Sequence, residues 1–313
     1  MTNLSEFTFL SSDGKTQLHG MLWEPEGVAV RAVLQICHGV AEHIARYDGF
    51  ARALNEQGIV VAGHDHLGHG KSLPEGGTPV YFGDGNTWNT VVDDIYVLHQ
   101  RLKQRYPDVP LCIMGHSMGS FLTRTYLIRY PGTVKAAVIM GTGWQPQAAI
   151  TGGLALANAI AAVSGENATS ELVTELAFGS YNKLFAPNRT KVDWLSADES
   201  NVDDYIADPL CGADATVGLF RQMLHGIRFN QRQSHLRQMD REMPVLFVAG
   251  DKDPVGNCGK GVRQTYDAFR AAGMRDCTLK LYPGLRHEIL NEKAYTADIT
   301  KNIEAWLLSR LEK

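Results

Sequence analysis

The chain has 313 residues, of which 44% are hydrophobic and 20% are charged, and its formal net charge is −4 at pH 7. This length and composition are those of a globular protein with one large domain, or with one domain that carries an insertion. The negative net charge, without a block of Lys and Arg, argues against nucleic acid as a partner.

The five cysteines are scattered along the chain and show no C-x-x-C spacing. This usage is typical of reduced thiols in a cytoplasmic protein rather than of a disulfide framework or a zinc site. The N-terminus has no secretory signal pattern, and no run of 18 apolar residues is present. The sequence therefore predicts a cytoplasmic protein without a membrane span.

Strand and helix patterns alternate along most of the chain. Glu6–Leu10 and Gln17–Trp23 are strand-like runs joined by an Asp-Gly turn, which predicts a hairpin. Apolar runs that predict buried strands follow at Arg31–Cys37, Ile59–Ala62, Leu111–Met114, Val134–Met140, Pro244–Ala249 and Thr278–Tyr282. Helical periodicity covers Arg46–Gln57, Thr87–Tyr106 and the end of the chain. This alternation predicts an α/β fold with a mostly parallel sheet covered on both faces.

One segment breaks this alternation. Between Thr142 and Met243 roughly a hundred residues pass without a core strand, far more than a usual connection. We interpret residues 143–242 as a helical cap, and residues 1–142 and 243–313 as the core domain. Open α/β sheets bind ligands at the carboxyl ends of their strands, so we expect the cap to lie over that edge.

The apolar segment Ile150–Val163 within the cap has two interpretations. It is either a buried cap helix or a lid that contacts a membrane or micelle surface transiently. Its high Ala and Gly content and its lack of Lys and Arg make the membrane signal weak.

A G-x-S-x-G pentapeptide, Gly115-His116-Ser117-Met118-Gly119, lies between a predicted strand and a predicted helix. This is the setting of a nucleophile elbow, where the flanking glycines permit a tight turn with a strained serine. Ser117 is therefore the candidate nucleophile, and a base, an acid and an oxyanion hole should follow from the rest of the chain.

His287 is the candidate base. Of the three histidines after Ser117, only His287 follows a core strand, whereas the other two lie in the predicted cap. The acid should follow the preceding strand, where the loop GDKDPVG offers Asp251 and Asp253. Position alone does not separate these two aspartates, and one of them should only form a turn.

The oxyanion hole requires two backbone N–H groups. One is expected from Met118, the residue after the nucleophile, at the positive N-terminus of a helix. The other is expected from Val40, in the loop that follows the early strand Arg31–Cys37.

Five motifs together resemble one family. They are HGVAEHIARY (His38–Tyr47), GHDHLGHGKS (Gly63–Ser72), GHSMGS (Gly115–Ser120), GDKDP (Gly250–Pro254) and YPGLRHEILNE (Tyr282–Glu292). Their order and content resemble the monoacylglycerol lipase/lysophospholipase branch of the α/β-hydrolases, with a cap closer to bacterial members. The resemblance implies a triad of Ser117, Asp253 and His287, an oxyanion hole at Val40 and Met118, and a structural role for Asp251.

The resemblance implies a serine hydrolase that cleaves carboxylic esters of monoacyl lipids through an acyl-enzyme, without a metal or organic cofactor. Its expected partner is a small amphiphilic ester, and the oligomeric state is left open. A general short-chain carboxylesterase, or a peptidase or lactonase of the same fold, is the alternative, and a non-catalytic binding module is a third hypothesis. His64, His66 and His69 could suggest a metal cluster, but the resemblance implies a structural turn there, and we expect no metal.

Overall fold

The computed structural model describes residues 1–311, apart from the side chain of Ala177. The strands are β1 (Thr2–Leu10), β2 (Gln17–Pro25), β3 (Ala32–Cys37), β4 (Ile59–His64), β5 (Leu111–His116), β6 (Ala136–Met140), β7 (Val245–Gly250) and β8 (Cys277–Tyr282). They form one sheet in the order β1-β2-β4-β3-β5-β6-β7-β8. The pairs β1–β2 and β2–β4 are antiparallel, and the other five pairs of neighbouring strands are parallel.

The burial of each strand explains how clearly its sequence pattern predicts it. Every residue of β3, β4, β5, β6 and β7 is buried, because helices cover both faces of the sheet, and these strands are nearly continuous apolar runs. The edge strand β1 is mostly exposed and carries polar residues. Its first half therefore lacks a strand signal, and β1 begins four residues before the predicted Glu6.

The helices of the core domain lie on both faces of the sheet. They are α1 (Asp48–Asn55), α2 (Thr87–Arg105), α3 (Met118–Arg129), α10 (Lys260–Ala271) and α11 (Thr296–Leu311). Side chains of α1 and α11 pack on one face, and those of α2, α3 and α10 pack on the other. The predicted α/β class with a mostly parallel sheet is confirmed.

The connection between β6 and β7 contains the predicted cap range 143–242. Its helices are α4 (Gln147–Ser164), α5 (Glu171–Thr174), the π-helical turn Glu175–Gly179, α6 (Ser180–Lys183), α7 (Glu199–Ala207), α8 (Val217–Asn230) and α9 (Gln233–Leu236). Helix α8 packs against α4 on one side and against α2 and α3 on the other. The cap therefore shares its hydrophobic interior with one face of the core.

Candidate active site

The turn between β5 and α3 holds Ser117 in a conformation that few residues adopt, with φ 54° and ψ −122°. A Cβ atom at Gly115 would collide with the backbone of the next turn, and one at Gly119 would collide with the carbonyl of Cys37. Both glycines are thus required by close packing. The Ser117 N–H donates to the Met140 carbonyl at 3.0 Å, which ties the turn to the neighbouring strand.

His287 and Asp253 lie together on the loops that follow β8 and β7. The Nδ1 atom of His287 is 3.0 Å from each carboxylate oxygen of Asp253, and both side chains are buried. The Val255 N–H donates to the same carboxylate at 2.9 Å and fixes its orientation. A carboxylate in this position selects the imidazole tautomer whose Nε2 can accept a proton.

Asp251, the other acid candidate, accepts a hydrogen bond from the Gly284 N–H at 2.8 Å. This contact holds the turn Pro283-Gly284, which precedes His287. The two aspartates of the loop therefore differ in their surroundings, since Asp253 contacts the imidazole and Asp251 supports a turn.

The two candidate oxyanion donors flank Ser117. Met118 is the first residue of α3, where a backbone N–H has no partner within the helix. Within residues 1–311, the Val40 N–H has no hydrogen-bond acceptor, and Val40 lines the same cavity as Ser117. A Cβ atom at Gly39 would lie 3.1 Å from the Ser117 Cβ, so the loop of Val40 packs closely against the elbow.

A buried carboxylate holds this loop in place. The Glu42 side chain accepts a hydrogen bond from the Gly39 N–H at 2.5 Å and forms an ion pair with Arg46 at 2.9 Å. Its Oε1 also lies 3.2 Å from Nδ1 of His116. Burial raises the pKa of Glu42, but the hydrogen bond from His116 and the charge of Arg46 outweigh it and hold that pKa well below its usual value.

The same network reaches the base and the cap. Arg46 makes two hydrogen bonds to Glu288, at 2.7 and 2.8 Å, and Glu288 follows His287 in the chain. Asn201 of α7 donates to Glu288 at 2.8 Å. The Nε2 atom of His116 lies 3.3 Å from the His287 carbonyl. One buried network therefore connects the loop of Val40 (residues 38–43, here called the oxyanion loop), the candidate base and the cap.

None of these supporting residues is among the site residues predicted from the sequence. Glu42 and Arg46 belong to the HGVAEHIARY motif, which was the available signal for them. Trp194 of the cap, whose ring lies 5.1 Å from that of His287, begins the segment WLSADES, one of the two segments in which the cap resembles bacterial members of the family.

A cavity of about 890 Å³ opens over Ser117 and His287 and extends beneath the cap. Apolar groups lie on part of its wall, including Val40, Phe178, Trp194 and Leu195. Charged and polar groups also face it, including Glu171, Glu175, Asn182, Lys183 and Lys191. The lining is therefore neither a wholly apolar tunnel nor a short polar pocket.

His64, His66 and His69 are buried beneath the oxyanion loop. Burial lowers the pKa of His64 and of His69 to about 3, and neighbouring imidazoles add to the effect at His66. The His66 backbone N–H donates to the His38 Nε2 atom at 3.0 Å. These uncharged rings pack against one another and support the residue that precedes Gly39.

This sheet, the strained Ser117 and the paired His287 and Asp253 define an α/β-hydrolase. A family model described as serine aminopeptidase, S33, matches residues 28–294. The monoacylglycerol lipase of Mycolicibacterium smegmatis is 31% identical over 98% of this chain and 98% of its own. A monoglyceride lipase of Mus musculus is 28% identical over 96% of this chain and 90% of its own.

A solved structure of a thermostable carboxyl esterase from Bacillus coagulans, in complex with glycerol, superposes with a TM-score of 0.92 at 26% identity. It covers 99% of this chain and 100% of its own. The chain belongs to the S33 family of α/β-hydrolases, in the branch that includes the monoacylglycerol lipases. The resemblance inferred from the motifs is thereby confirmed, and the protein is a hydrolase.

Proposed function

We propose that this protein hydrolyses carboxylic esters of monoacyl lipids, a monoacylglycerol or a lysophospholipid, through an acyl-enzyme. The Ser117 hydroxyl attacks the ester carbonyl while His287 takes its proton, and Asp253 orients the imidazole. The N–H groups of Val40 and Met118 stabilise the oxyanion. His287 then protonates the leaving alcohol, and water attacks the acyl-enzyme to release the fatty acid.

The observation that carries this proposal is the cavity above Ser117. Its volume of about 890 Å³ is near the upper end of the range for small-molecule sites. A wall with both apolar and polar regions suits an amphiphile, whose acyl chain and polar head differ in the surroundings they require. The relatives in Mycolicibacterium smegmatis and Mus musculus that are named monoacylglycerol or monoglyceride lipases support the same substrate class.

Labelling with a fluorophosphonate probe tests the nucleophile. The wild-type protein should form a covalent adduct on Ser117, and Ser117→Ala should remain unlabelled while it keeps the same melting temperature. Labelling of a folded Ser117→Ala variant at the wild-type rate would contradict the assignment.

A small-ester carboxylesterase is the second candidate, supported by the polar part of the cavity wall and by the esterase of Bacillus coagulans. Rates on monoacylglycerol, lysophospholipid and short p-nitrophenyl esters separate the two candidates. A higher kcat/KM on short esters than on every monoacyl lipid would replace the lipid proposal with the esterase one.

A peptidase that binds a free amine would need an excess of acid near Ser117. Glu171 and Glu175 do face the cavity, but Lys183 and Lys191 face it as well. Glu175 also pairs with Lys183 at 2.7 Å. Asp214 is a third cap carboxylate in the wall, so the cap contributes three acids against two lysines. An excess of one carboxylate, in a wall where one acid is already paired, favours a free amine only weakly, and we expect no cleavage of proline amides.

We also infer that the cap touches lipid aggregates transiently. By length and composition α4 could cross a membrane, but only 17% of it is buried. Ile150, Leu154 and Ala157 face the protein, and most of the other residues are at least partly accessible. An accessible apolar helix on the cap suits contact with a micelle or membrane surface, from which a monoacyl lipid would enter.

A further inference from the structure

A cluster of three potential metal ligands lies where the cap meets the oxyanion loop. His43 follows Glu42 in that loop, and Asp208 and Cys211 lie just after α7 in the cap. One ligand atom from each of the three side chains lies within 4.8 Å of the other two. The Nε2 atom of His43 and an oxygen of Asp208 are 2.8 Å apart.

The geometry is close to that of a zinc site. Zinc is bound by imidazole nitrogen, carboxylate oxygen and thiolate sulfur at about 2.0 to 2.3 Å, so its tetrahedral ligands lie roughly 3.3 to 3.8 Å apart. The His43 and Asp208 atoms, now 2.8 Å apart, would separate by about half an ångström, and the Cys211 sulfur would approach by no more than about 1.5 Å. Asp208 and Cys211 share one tight turn, closed by a 3.0 Å hydrogen bond from the Cys211 N–H to the Asp208 carbonyl, and thus converge on His43.

The surrounding charge also suits a dication. Arg46 is the nearby cation, but it is paired with the carboxylates of both Glu42 and Glu288. With Asp208 added, three carboxylates surround one guanidinium, which leaves an excess of negative charge. His43 is buried and Asp208 and Cys211 are half-buried, so the ligands are held more firmly than surface side chains.

We propose that His43, Asp208 and Cys211 form a site for a zinc-like divalent ion that clamps the cap to the oxyanion loop. A metal–sulfur bond forms as the Cys211 S–H bond breaks and its proton leaves to solvent. The Nε2–H bond of His43, which faces Asp208 in the metal-free protein, breaks as the ring takes the tautomer with its proton on Nδ1. The Nε2 atom then binds the ion as neutral imidazole, and a water molecule completes the four ligands.

The position of the site connects it to turnover. Two hydrogen bonds already join the cap to the carbonyl of Ala41, from the Tyr205 hydroxyl and from the Gly212 N–H, each at 3.0 Å. Ala41 follows Val40, the proposed oxyanion donor, and has a positive φ of 52°. An ion that bridges His43 to Asp208 and Cys211 would fix the same contact, so a bound metal should slow any step that requires cap movement.

Cobalt(II), which takes the place of zinc and has a thiolate charge-transfer absorption near the ultraviolet, tests the ligands directly. Titration of the purified, metal-free protein should give a saturable band at one equivalent, and added zinc should remove it. Cys211→Ser should abolish the band, and Asp208→Asn should weaken binding at least tenfold. Cys258→Ser, which changes an exposed cysteine outside the cluster, should leave the titration unchanged.

A wild-type protein without a saturable band, or a band that survives in folded Cys211→Ser, would overturn the site. The link to turnover has its own test, since saturating zinc should lower kcat in the wild type and in Cys258→Ser but not in Cys211→Ser. Equal inhibition of the wild type and Cys211→Ser would overturn the clamp. The band does not depend on activity, so failure of the metal site is distinguishable from failure of the proposed hydrolase function.

Discussion

The core domain and the cap enclose the same cavity but hold their side chains in different ways. In the core, Ser117, Asp253 and His287 are all buried, and each lies on the turn or loop that follows a strand of the sheet. The strands before Ser117 and Asp253 are fully buried. In the cap, only three residues of α4 are buried, and the segment from Glu171 to Lys183 consists of helical pieces four or five residues long.

This difference indicates that the core holds the catalytic groups in place, whereas the cap determines which substrate is bound. Parallel strands with both faces covered cannot shift without exposing apolar surface, so groups at their ends keep one geometry. Short helices with few buried contacts open at lower cost in free energy. We therefore expect changes in the core to act on kcat or on overall stability, and changes in the cap to act on the choice and capture of substrate.

The largest effect is expected for the acid. Asp253→Asn should lower kcat about 10⁴-fold, because the amide no longer selects the productive tautomer of His287. Asp251→Asn, in the same loop, should change kcat by less than about threefold, since Asp251 supports only the turn at Gly284. Steady-state kinetics on one soluble ester compares the two variants. Similar losses of kcat in both variants would contradict the different roles assigned to the two aspartates.

The oxyanion loop should give the next largest effect. A Cβ atom at Gly39 would lie 2.7 Å from Glu42 Oε1 and 3.1 Å from the Ser117 Cβ, so Gly39→Ala must move the loop of Val40. We expect kcat to fall about 100-fold, with a much smaller change in KM.

Gly49→Ala is the matched control for that variant. Gly49 lies in α1, and a Cβ atom there meets no atom within 4 Å. This variant should keep full activity and gain about 0.5 to 1 kcal/mol of stability from helix propensity. A Gly39→Ala enzyme with wild-type kcat would show that the loop is not held by the Glu42 contact.

The buried histidines should make the core sensitive to acid. The folded-state pKa of His64 is lowered to about 3, whereas in the unfolded chain it is about 6.5. Above pH 6.5 neither state is protonated and no penalty exists. As the pH falls from 6.5 toward 3, only the unfolded state gains the proton, so stability decreases by about 1.4 kcal/mol per pH unit.

Replacing the His64 imidazole should therefore increase stability, relative to the wild type, more at acidic pH than at pH 8. Relative to the wild type, His64→Leu should gain about 2 kcal/mol more unfolding free energy at pH 5 than at pH 8. Urea unfolding at the two pH values measures this difference, and the value at pH 8 corrects for packing changes. An equal effect at both pH values would mean that His64 does not titrate as proposed.

A structural feature of this protein can be predicted from the sequence when the residues that form it lie close together along the chain. The elbow at Ser117 and the strands β3 to β7 are local patterns, and these elements agree with the predictions except near their ends. Asp253 could be separated from Asp251 only by resemblance, because the contact that distinguishes them reaches 34 residues along the chain. The pair His43 and Asp208 is separated by 165 residues, and no local pattern brings the two together.

The cap was the least predictable region for a related reason. Its helices and turns are positioned by contacts with the core, such as the packing of α8 on α3 and the approach of Trp194 to His287. Local propensity does not encode contacts of this kind. The sequence therefore located the chemistry within a few residues, whereas the shape of the cavity required the structure.

The smallest effect on rate is expected for a substitution on the outer surface of the cap. It tests directly whether the cap acts on substrate capture while the core holds the catalytic groups. Leu176 lies in the π-helical turn next to Glu175 and is 61% exposed. If this surface touches lipid aggregates, Leu176→Ser should reduce the rate on micellar monoacylglycerol about fivefold, which corresponds to losing part of one buried leucine. The rate on a soluble short ester should not change, because Leu176 is outside the catalytic cavity.

Leu10→Ser provides the control, since Leu10 is a leucine of comparable exposure, 49%, on the edge strand of the core. It should leave both rates unchanged. Vesicle co-sedimentation of the two variants, in the inactive Ser117→Ala background, separates surface binding from turnover. If Leu176→Ser lowered both rates equally, the residue would act on the fold of the cap instead, and the cap would share in holding the catalytic geometry that we assign to the core.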